Sequence, residues 1–217
     1  MTGKISASDK LAYSNQSRNL SFYSNISEFS LGAEYLLFDL YDYKVSPYIF
    51  AGVGRFRFNP FTKTKDGQPV NLYERSTEGE GFYKDRKAYK LTQTCFPIGV
   101  GTQWALSNKV RISLSIGARK TTTDYLDDVS TTYVDPTFLA SHRGSTSVSL
   151  AYRGGELSGN NTYPGDGVQR GNPNNKDWYV FSGVTGRVRL TGKAGRSRNV
   201  REDKISSNRS KVSCPSL

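Results

Sequence analysis

The segment from Val110 to Arg119, VRISLSIGAR, alternates between apolar and polar or small residues at all ten positions. A period of two predicts a β-strand with one apolar and one polar face. The same period recurs in four other segments of roughly 11 to 15 residues, about twice the usual length of a strand in a soluble domain. These segments are SNISEFSLGAEYLLF, PYIFAGVGRFRF, CFPIGVGTQWAL and WYVFSGVTGRVRL. The chain is therefore predicted to be all-β.

The second face of these segments carries Gly, Ser, Thr, Arg and Glu, which suits the crowded polar interior of a small barrel. A tilted strand needs about 9 to 11 residues to cross a bilayer, so each segment is long enough. The connections at 39–46 and Ser107–Asn108 are short, whereas those at 59–90 and 120–177 are long. This alternation predicts an up-and-down antiparallel outer-membrane β-barrel with long outer loops and short periplasmic turns. A soluble β-sandwich or lipocalin-like barrel is the alternative architecture.

The chain has 30 Lys and Arg against 19 Asp and Glu, and this net charge of +11 favours an anionic partner. Much of the excess lies between Lys193 and Lys211, in a run rich in Ser, Arg and Asn. We therefore divide the chain into a partial barrel at residues 1–192 and a basic, flexible tail at residues 193–217 that carries a Cys-Pro pair near its end. The absence of an 18-residue apolar run and of a signal-peptide pattern would, taken alone, indicate a cytoplasmic protein.

Six segments carry a resemblance to a known family, in the same order along the chain. They are RNLSFYSNISEFSLGAEYLLF, SPYIFAGVGRFRFNP, STEGEGF, FPIGVGTQW, GARKTTTDYLDDVSTTYVD and the closing Cys214-Pro215. Together they resemble the PorG-type outer-membrane β-barrel proteins of the type IX secretion system. The resemblance covers the chain from Ile5 to Asp177, and then the last strand and the Cys-Pro pair.

Members of that family begin with a secretory signal peptide and about three further strands. The resemblance therefore implies an eight-stranded barrel of which about five to six strands are present here, in an N-terminally truncated sequence that lacks its signal peptide. It also implies a location in the cell outer membrane, in place of the cytoplasmic interpretation. The basic tail is longer than the short ending that is usual in the family.

The function that the resemblance implies is not enzymatic. The protein would be an accessory barrel that anchors the periplasmic ring of the protein secretion and gliding machinery to the outer membrane. Its expected partners are outer-membrane lipid and the ring proteins, with no cofactor, small-molecule substrate or nucleic acid. Two alternatives remain open: a small solute- or lipid-binding β-barrel, and a soluble basic β-protein that binds an anionic partner.

Three carboxylates lie close together at the start of the longest loop, in TDYLDDVSTTY. A calcium loop of the EF-hand type has ligands at positions 1, 3 and 5, a Gly and a distal Glu, whereas DYLDD spaces its acids at 1, 4 and 5 without a Gly. We therefore expect this segment to order an outer loop, with Arg119, Lys120 or Arg143 as pairing partners, and keep a cation site as the weaker alternative. The loop-ordering residues are Asp124, Tyr125, Asp127, Asp128 and Tyr133, and the three aspartates are the cation candidate.

Charged residues on the polar faces of the strands are expected to pair inside the barrel. This interior charge network is predicted to contain Glu28, Glu34, Arg55, Arg57, Arg111, Arg187 and Arg189. His142 has no second histidine with which to share a metal ion and is expected to be a loop residue. Cys95 is expected to be a small inert residue near the start of a strand, and no role is predicted for Cys214. No catalytic constellation is found.

Overall fold

The computed structural model describes residues 1–11, 16–40, 43–157 and 162–189. The predicted basic tail, residues 193–217, lies entirely outside the described residues. The strands are β1 (Thr2–Ser8), β2 (Ser21–Leu36), β3 (Val45–Arg57), β4 (Pro60–Lys63), β5 (Pro69–Asn71), β6 (Thr92–Ala105), β7 (Val110–Thr121) and β8 (Trp178–Val188). The helices are α1 (Pro136–Arg143) and α2 (Ser145–Ala151), with single 3-10 turns at Asp9–Leu11, Gln16–Arg18, Tyr73–Arg75 and Gly154–Glu156. Among these described helices, none has the length and apolar character needed to span a membrane.

All five strands predicted from the alternating segments are present, as β2, β3, β6, β7 and β8. They pair antiparallel in that order, so each long strand lies beside the next one along the chain. The sheet curls into a half-barrel, because Tyr179 of β8 and Arg119 of β7 both reach Glu28 of β2 across its concave side. The all-β prediction is therefore confirmed in its coarser form, an antiparallel curled sheet.

The curled sheet has two edges that lack a strand partner among the described residues. β1 pairs only with the first part of β2, from Ser21 to Ser27, and the same edge of β2 continues unpaired from Phe29 to Leu36. The other open edge is the outer side of β8, which pairs only with β7. The backbone groups along these edges need partners wherever water is excluded.

The two long connections fold together over one end of the sheet. We refer to residues 59–91, 122–157 and 162–177 as the loop layer. The helix α1 begins because Asp135 caps it, accepting a hydrogen bond of 2.8 Å from the Phe138 amide, with Pro136 in the first turn. One face of α1 is buried through Leu139, which packs in a small core with Tyr83, Val134 and Ala151. A second core joins the loop layer to the sheet and contains Ile26, Phe56, Phe58, Tyr89, Cys95, Leu126 and Tyr179.

Glycines on the concave side of the sheet make room for aromatic rings. A Cβ atom at Gly99 would lie 2.4 Å from the Cζ atom of Phe50 and 2.4 Å from the carbonyl oxygen of Ile116. At Gly117, in the neighbouring strand, the Cβ atom would lie 2.7 Å from the same Phe50 atom. The glycines therefore allow the ring of Phe50 to approach the backbones of two strands closely.

We expect Gly99→Ala to destabilise the sheet by about 1–3 kcal/mol, because the added methyl group overpacks a site bounded by backbone. The matched control is Gly183→Ala, on the same concave side in β8, where a Cβ atom would meet nothing within 4 Å. Thermal or urea unfolding of both variants is the measurement. A Gly99→Ala variant as stable as Gly183→Ala would contradict the packing described here.

Candidate functional site: an apolar outer surface, a charged interior and the loop layer

The convex side of the sheet exposes a continuous apolar surface. Most outward positions of the long strands carry aliphatic or aromatic residues, so that Leu114 is 51% exposed while its neighbour Ser113 is buried. We call this surface the apolar belt; it is formed by Phe29, Leu31, Tyr35, Val45, Ile49, Val53, Phe96, Ile98, Val100, Ile112, Leu114, Ile116, Val180, Val184 and Val188. A soluble monomer rarely exposes an apolar patch of this extent, so the belt requires a covering environment.

The interior of the half-barrel holds two ion pairs that link distant strands. Glu28 of β2 accepts hydrogen bonds from Arg119 Nε at 2.5 Å and from the Tyr179 hydroxyl at 2.8 Å, and all three side chains are buried. Nearer the turns, Glu34 accepts from Arg187 at 2.5 Å, and Arg187 also donates to Gln103. The Glu28–Arg119 pair is shielded from water, whereas the side chains of Glu34 and Arg187 remain 38% and 37% exposed.

Of the residues predicted for the interior charge network, Glu28, Glu34 and Arg187 form ion pairs on the concave side. Arg111 is half-buried on the concave side opposite Arg187 in the adjacent strand, and Arg189 is exposed just beyond β8. The prediction that Arg55 and Arg57 face the interior is wrong. Both are exposed on the convex side, because Phe56 and Phe58 occupy the alternate, inward positions and fill the core beneath the loop layer.

Sequence analysis did not assign Arg119 to this network, although it forms the most buried pair of the interior. It was expected among the partners of the loop aspartates, because it closes the β7 segment immediately before them. Its inward direction follows from the parity of β7, in which Ser113 and Arg119 are buried on the same face. That parity was the signal available in the sequence.

The three loop aspartates each hold a different part of the loop layer. Asp128, fully buried, accepts hydrogen bonds from the Thr77 hydroxyl at 2.7 Å and the Tyr89 hydroxyl at 2.6 Å. Asp124 accepts from the Ser130 hydroxyl at 2.7 Å, and Asp127 accepts from the Val129 amide at 3.0 Å. Within the described part of the chain, no group of three or more His, Cys, Asp or Glu residues is placed to hold a metal ion. The carboxylates are therefore divided between separate partners and do not converge on one point.

The two tyrosines of the segment also lie within the loop layer. The ring of Tyr125 stacks on Tyr89 with centroids 4.6 Å apart, and Tyr133 is buried with its ring edge-on to Tyr163. The other candidates are also placed: His142 is exposed near the end of α1 and stacks on Phe82, and the Cys95 thiol is free and buried. Cys214 lies outside the described residues.

A buried ion pair that sequence analysis missed organises the loop layer. Arg170 donates to Glu78 at 2.9 Å, and their side chains are only 2% and 0% exposed. Glu78 also accepts hydrogen bonds from the backbone amides of Ser130 and Thr131, at 2.9 and 2.7 Å. Since Glu78 and Arg170 are 92 residues apart, no local spacing in the sequence could have joined them; the only signal was a pair of glutamates within STEGEGF.

The second glutamate of that segment is a buried acid with an unusual affinity for its proton. Burial, followed by the nearby carboxylates of Asp128 and Glu78, raises the pKa of Glu80 from 4.5 to about 8. One oxygen of Glu80 accepts from the Glu78 amide at 3.2 Å, and the other has no hydrogen-bond partner among the described residues. A proton on the second oxygen would remove one negative charge from a group that contains a single arginine, Arg170.

The loop layer is therefore expected to lose stability as the pH rises. Between pH 4.5 and about 8 the folded protein binds the Glu80 proton more tightly than the unfolded chain does, so stability is fully present below this window and falls as pH rises through it. We expect a midpoint of thermal unfolding that is lower at pH 8.5 than at pH 5.5 by roughly 3–6 °C. Glu80→Gln should reduce this difference, and part of the remainder should come from Asp127, because burial raises its pKa to about 8 as well. Glu74→Gln, at an exposed position in the same loop, should leave the difference unchanged. An undiminished difference in Glu80→Gln would show that another group is responsible.

Comparison with known proteins adds one result. Residues 1–138, more than half of the chain and including β1 to β7, match the family described as Domain of unknown function (DUF6089). Neither the curated proteins nor the solved structures gave a match. The matched region contains the apolar belt up to β7, the interior pair of Glu28 and Arg119, and the three loop aspartates. The chain is accordingly a member of the DUF6089 family.

Proposed function

We propose that this protein is a non-enzymatic β-barrel component of the outer membrane that acts as an accessory or anchor protein of the type IX secretion and gliding machinery. The observation that carries the membrane part is the apolar belt. Contact between such a belt and lipid chains has no free-energy cost, whereas contact between the belt and water is unfavourable. The long strands run for 11 to 16 residues, and about 9 to 11 are enough to cross a bilayer when a strand is tilted.

The two open edges of the sheet support a closed barrel over a free half-barrel. In a bilayer the unpaired amide and carbonyl groups from Phe29 to Leu36 would each lack a partner, at several kcal/mol per group. Further strands that join this edge to β8 would satisfy both edges. We therefore propose that the described sheet is part of a larger antiparallel barrel.

The charged side chains on the concave side favour a structural role over the binding of apolar molecules. A lipid- or solute-binding barrel would be lined by apolar side chains with a few polar groups. Here the concave side carries the Glu28–Arg119 and Glu34–Arg187 pairs and packed aromatic rings. These groups cross-link the interior, which suits a rigid membrane-embedded body.

The turn end of the sheet offers a basic surface for a partner in the periplasm. Lys44 and Lys109 are exposed in the two short turns, and Arg189 is exposed beside them. Such a surface favours an acidic protein face by long-range attraction. The assignment of that partner to the ring of the type IX machinery rests on the resemblance of the sequence segments.

The test is fractionation followed by affinity purification of the tagged protein from its own cells. We expect it in the carbonate-resistant outer-membrane fraction, with a gel mobility that changes on heating, and we expect the ring proteins to co-purify. Lys44→Glu/Lys109→Glu should weaken co-purification, while Lys65→Glu/Lys87→Glu, two exposed lysines of the loop layer, should not. A soluble, monomeric protein would overturn the barrel. Membrane insertion without any ring protein would overturn only the anchor role.

A further inference from the structure

The outer face of the sheet carries its charge at one end only. On the outward positions of β2, β3, β6, β7 and β8 there is no Asp or Glu, and the only cations are Arg55, Arg57 and Lys120. All three lie where the apolar belt meets the loop layer. We call them the cationic rim.

The register of the strands places the two arginines of the rim beside each other and Lys120 at the side toward β8. Arg55 pairs with Thr94 of β6, and Arg57 pairs with Thr92, so hydroxyl groups lie beside both guanidinium groups on the same face. Lys120 pairs with Phe96, which follows Thr94 by two residues in β6. Its ammonium group lies 5.5 Å from the ring centroid of Trp178. Alternate residues of a strand are about 7 Å apart, so the side chains of Arg55 and Arg57 reach one area of the surface, and Lys120 lies two strands away, toward β8.

The two arginines of the cationic rim do not contribute an ion pair or a side-chain hydrogen bond to the described part of the fold. Both are exposed, and within the described residues neither forms an ion pair or a side-chain hydrogen bond. Arg119, at a similar depth on the concave side, is by contrast paired with Glu28. Guanidinium groups that stand free above an apolar surface fit a ligand with an anionic head and apolar chains.

We propose that the cationic rim binds the phosphate group of a phosphorylated glycolipid in the leaflet at the loop end of the barrel. Arginine presents paired N–H donors that match the oxygens of a phosphate, and Thr92 and Thr94 add hydroxyl donors. The acyl chains of the same lipid would lie along the apolar belt below, against Val53 and Phe96. We name a glycolipid as the molecule that carries the phosphate because the rim lies at the same end of the sheet as the long loops. In outer-membrane barrels the long loops face outward. This inference rests on the proposed membrane location.

The experiment begins with the tagged protein extracted from its own outer membrane in a mild detergent. Lipid retained by the protein is identified by native mass spectrometry. The delipidated protein is then titrated with the phosphorylated glycolipid, with its dephosphorylated form and with phosphatidylglycerol. We expect the phosphorylated glycolipid to be retained and to bind most tightly of the three.

The variant Arg55→Gln/Arg57→Gln should weaken binding of the phosphorylated glycolipid about tenfold. Arg55→Lys/Arg57→Lys keeps the charges and loses the paired donors, so it should weaken binding less. The control Lys65→Gln/Lys87→Gln removes the same charge from the loop layer and should bind as the wild type does. Heat-dependent gel mobility checks that every variant is folded, and the Lys variant supplies the comparison should the Gln variant fail to fold.

Several outcomes would overturn the proposal. Equal binding of the phosphorylated and dephosphorylated glycolipids, or wild-type binding by the Gln variant, would exclude a phosphate site at the rim. Tighter binding of phosphatidylglycerol would exclude glycolipid as the ligand. If the protein enters the membrane and these results are obtained, only the lipid site fails; if the wild type is absent from the membrane fraction, the proposed function fails with it.

Discussion

Replacement of Arg170 by alanine is expected to destabilise the loop layer by about 3–5 kcal/mol, because it leaves the carboxylate of Glu78 buried without its counter-charge. The ion pair is almost fully inaccessible to solvent, so water cannot replace the lost guanidinium group. Arg170 also donates to the carbonyl oxygens of Asp128 and Ala151, at 2.7 and 3.1 Å. These two acceptors would lose their partner as well.

Hydrogen exchange at the amides of Ser130 and Thr131 gives a local measurement, since both donate to Glu78. Their exchange should accelerate strongly in Arg170→Ala. The control is Lys84→Ala at the pair with Asp166, whose side chains are 69% and 40% exposed; exposed pairs contribute at most about 1 kcal/mol. Arg170→Met combined with Glu78→Gln should recover part of the loss, because no isolated charge is then left in the interior. Similar effects of Arg170→Ala and Lys84→Ala would show that the pair does not organise the layer.

Replacement of Leu114 by arginine is expected to cost about 2–4 kcal/mol in a bilayer, as does a cation near the midplane of the lipid face of a barrel. Leu114 lies in the middle of β7 and is half exposed on the convex side. In a soluble protein the same change at an exposed position would alter stability by roughly 0.5 kcal/mol or less. The size of the effect therefore distinguishes lipid from water as the surroundings of the apolar belt.

The measurement is the fraction of folded protein after insertion into lipid vesicles, read by heat-dependent gel mobility or by urea titration. Val168→Arg provides the control, since Val168 is 48% exposed but belongs to the loop layer. It should insert and unfold like the wild type. Normal insertion of Leu114→Arg would contradict a lipid-facing belt.

The positions of the long strands could be predicted from the sequence because each strand displays its alternation independently of its neighbours. β7 was predicted as Val110–Arg119 and is observed as Val110–Thr121. The short strands β4 and β5 were not predicted, since three or four residues are too few for a period of two to be recognised. They form because the fold of the loop layer brings β4 beside β2 and β5 beside β4.

The contacts of the loop layer could not be predicted for a different reason. Asp128 was recognised as a loop residue, but its partners Thr77 and Tyr89 are 51 and 39 residues away. Side-chain pairing over such distances depends on how two long connections fold over the sheet. No local pattern records that arrangement.

The sequence alone determined which residues share a face of each strand, since alternate Cβ atoms must point to opposite sides. Only the tertiary structure decided which face is inside. In β3 the alternation places Arg55 and Arg57 on one face and Phe56 and Phe58 on the other, whichever of the two faces is inside. The rule that charges face the interior of a barrel would have turned the arginines inward, but the loop layer closes this end of the sheet and buries the two aromatic rings in its core. The curl of the sheet and the packing of the loops, which are properties of the whole chain, therefore left the arginines on the outer surface.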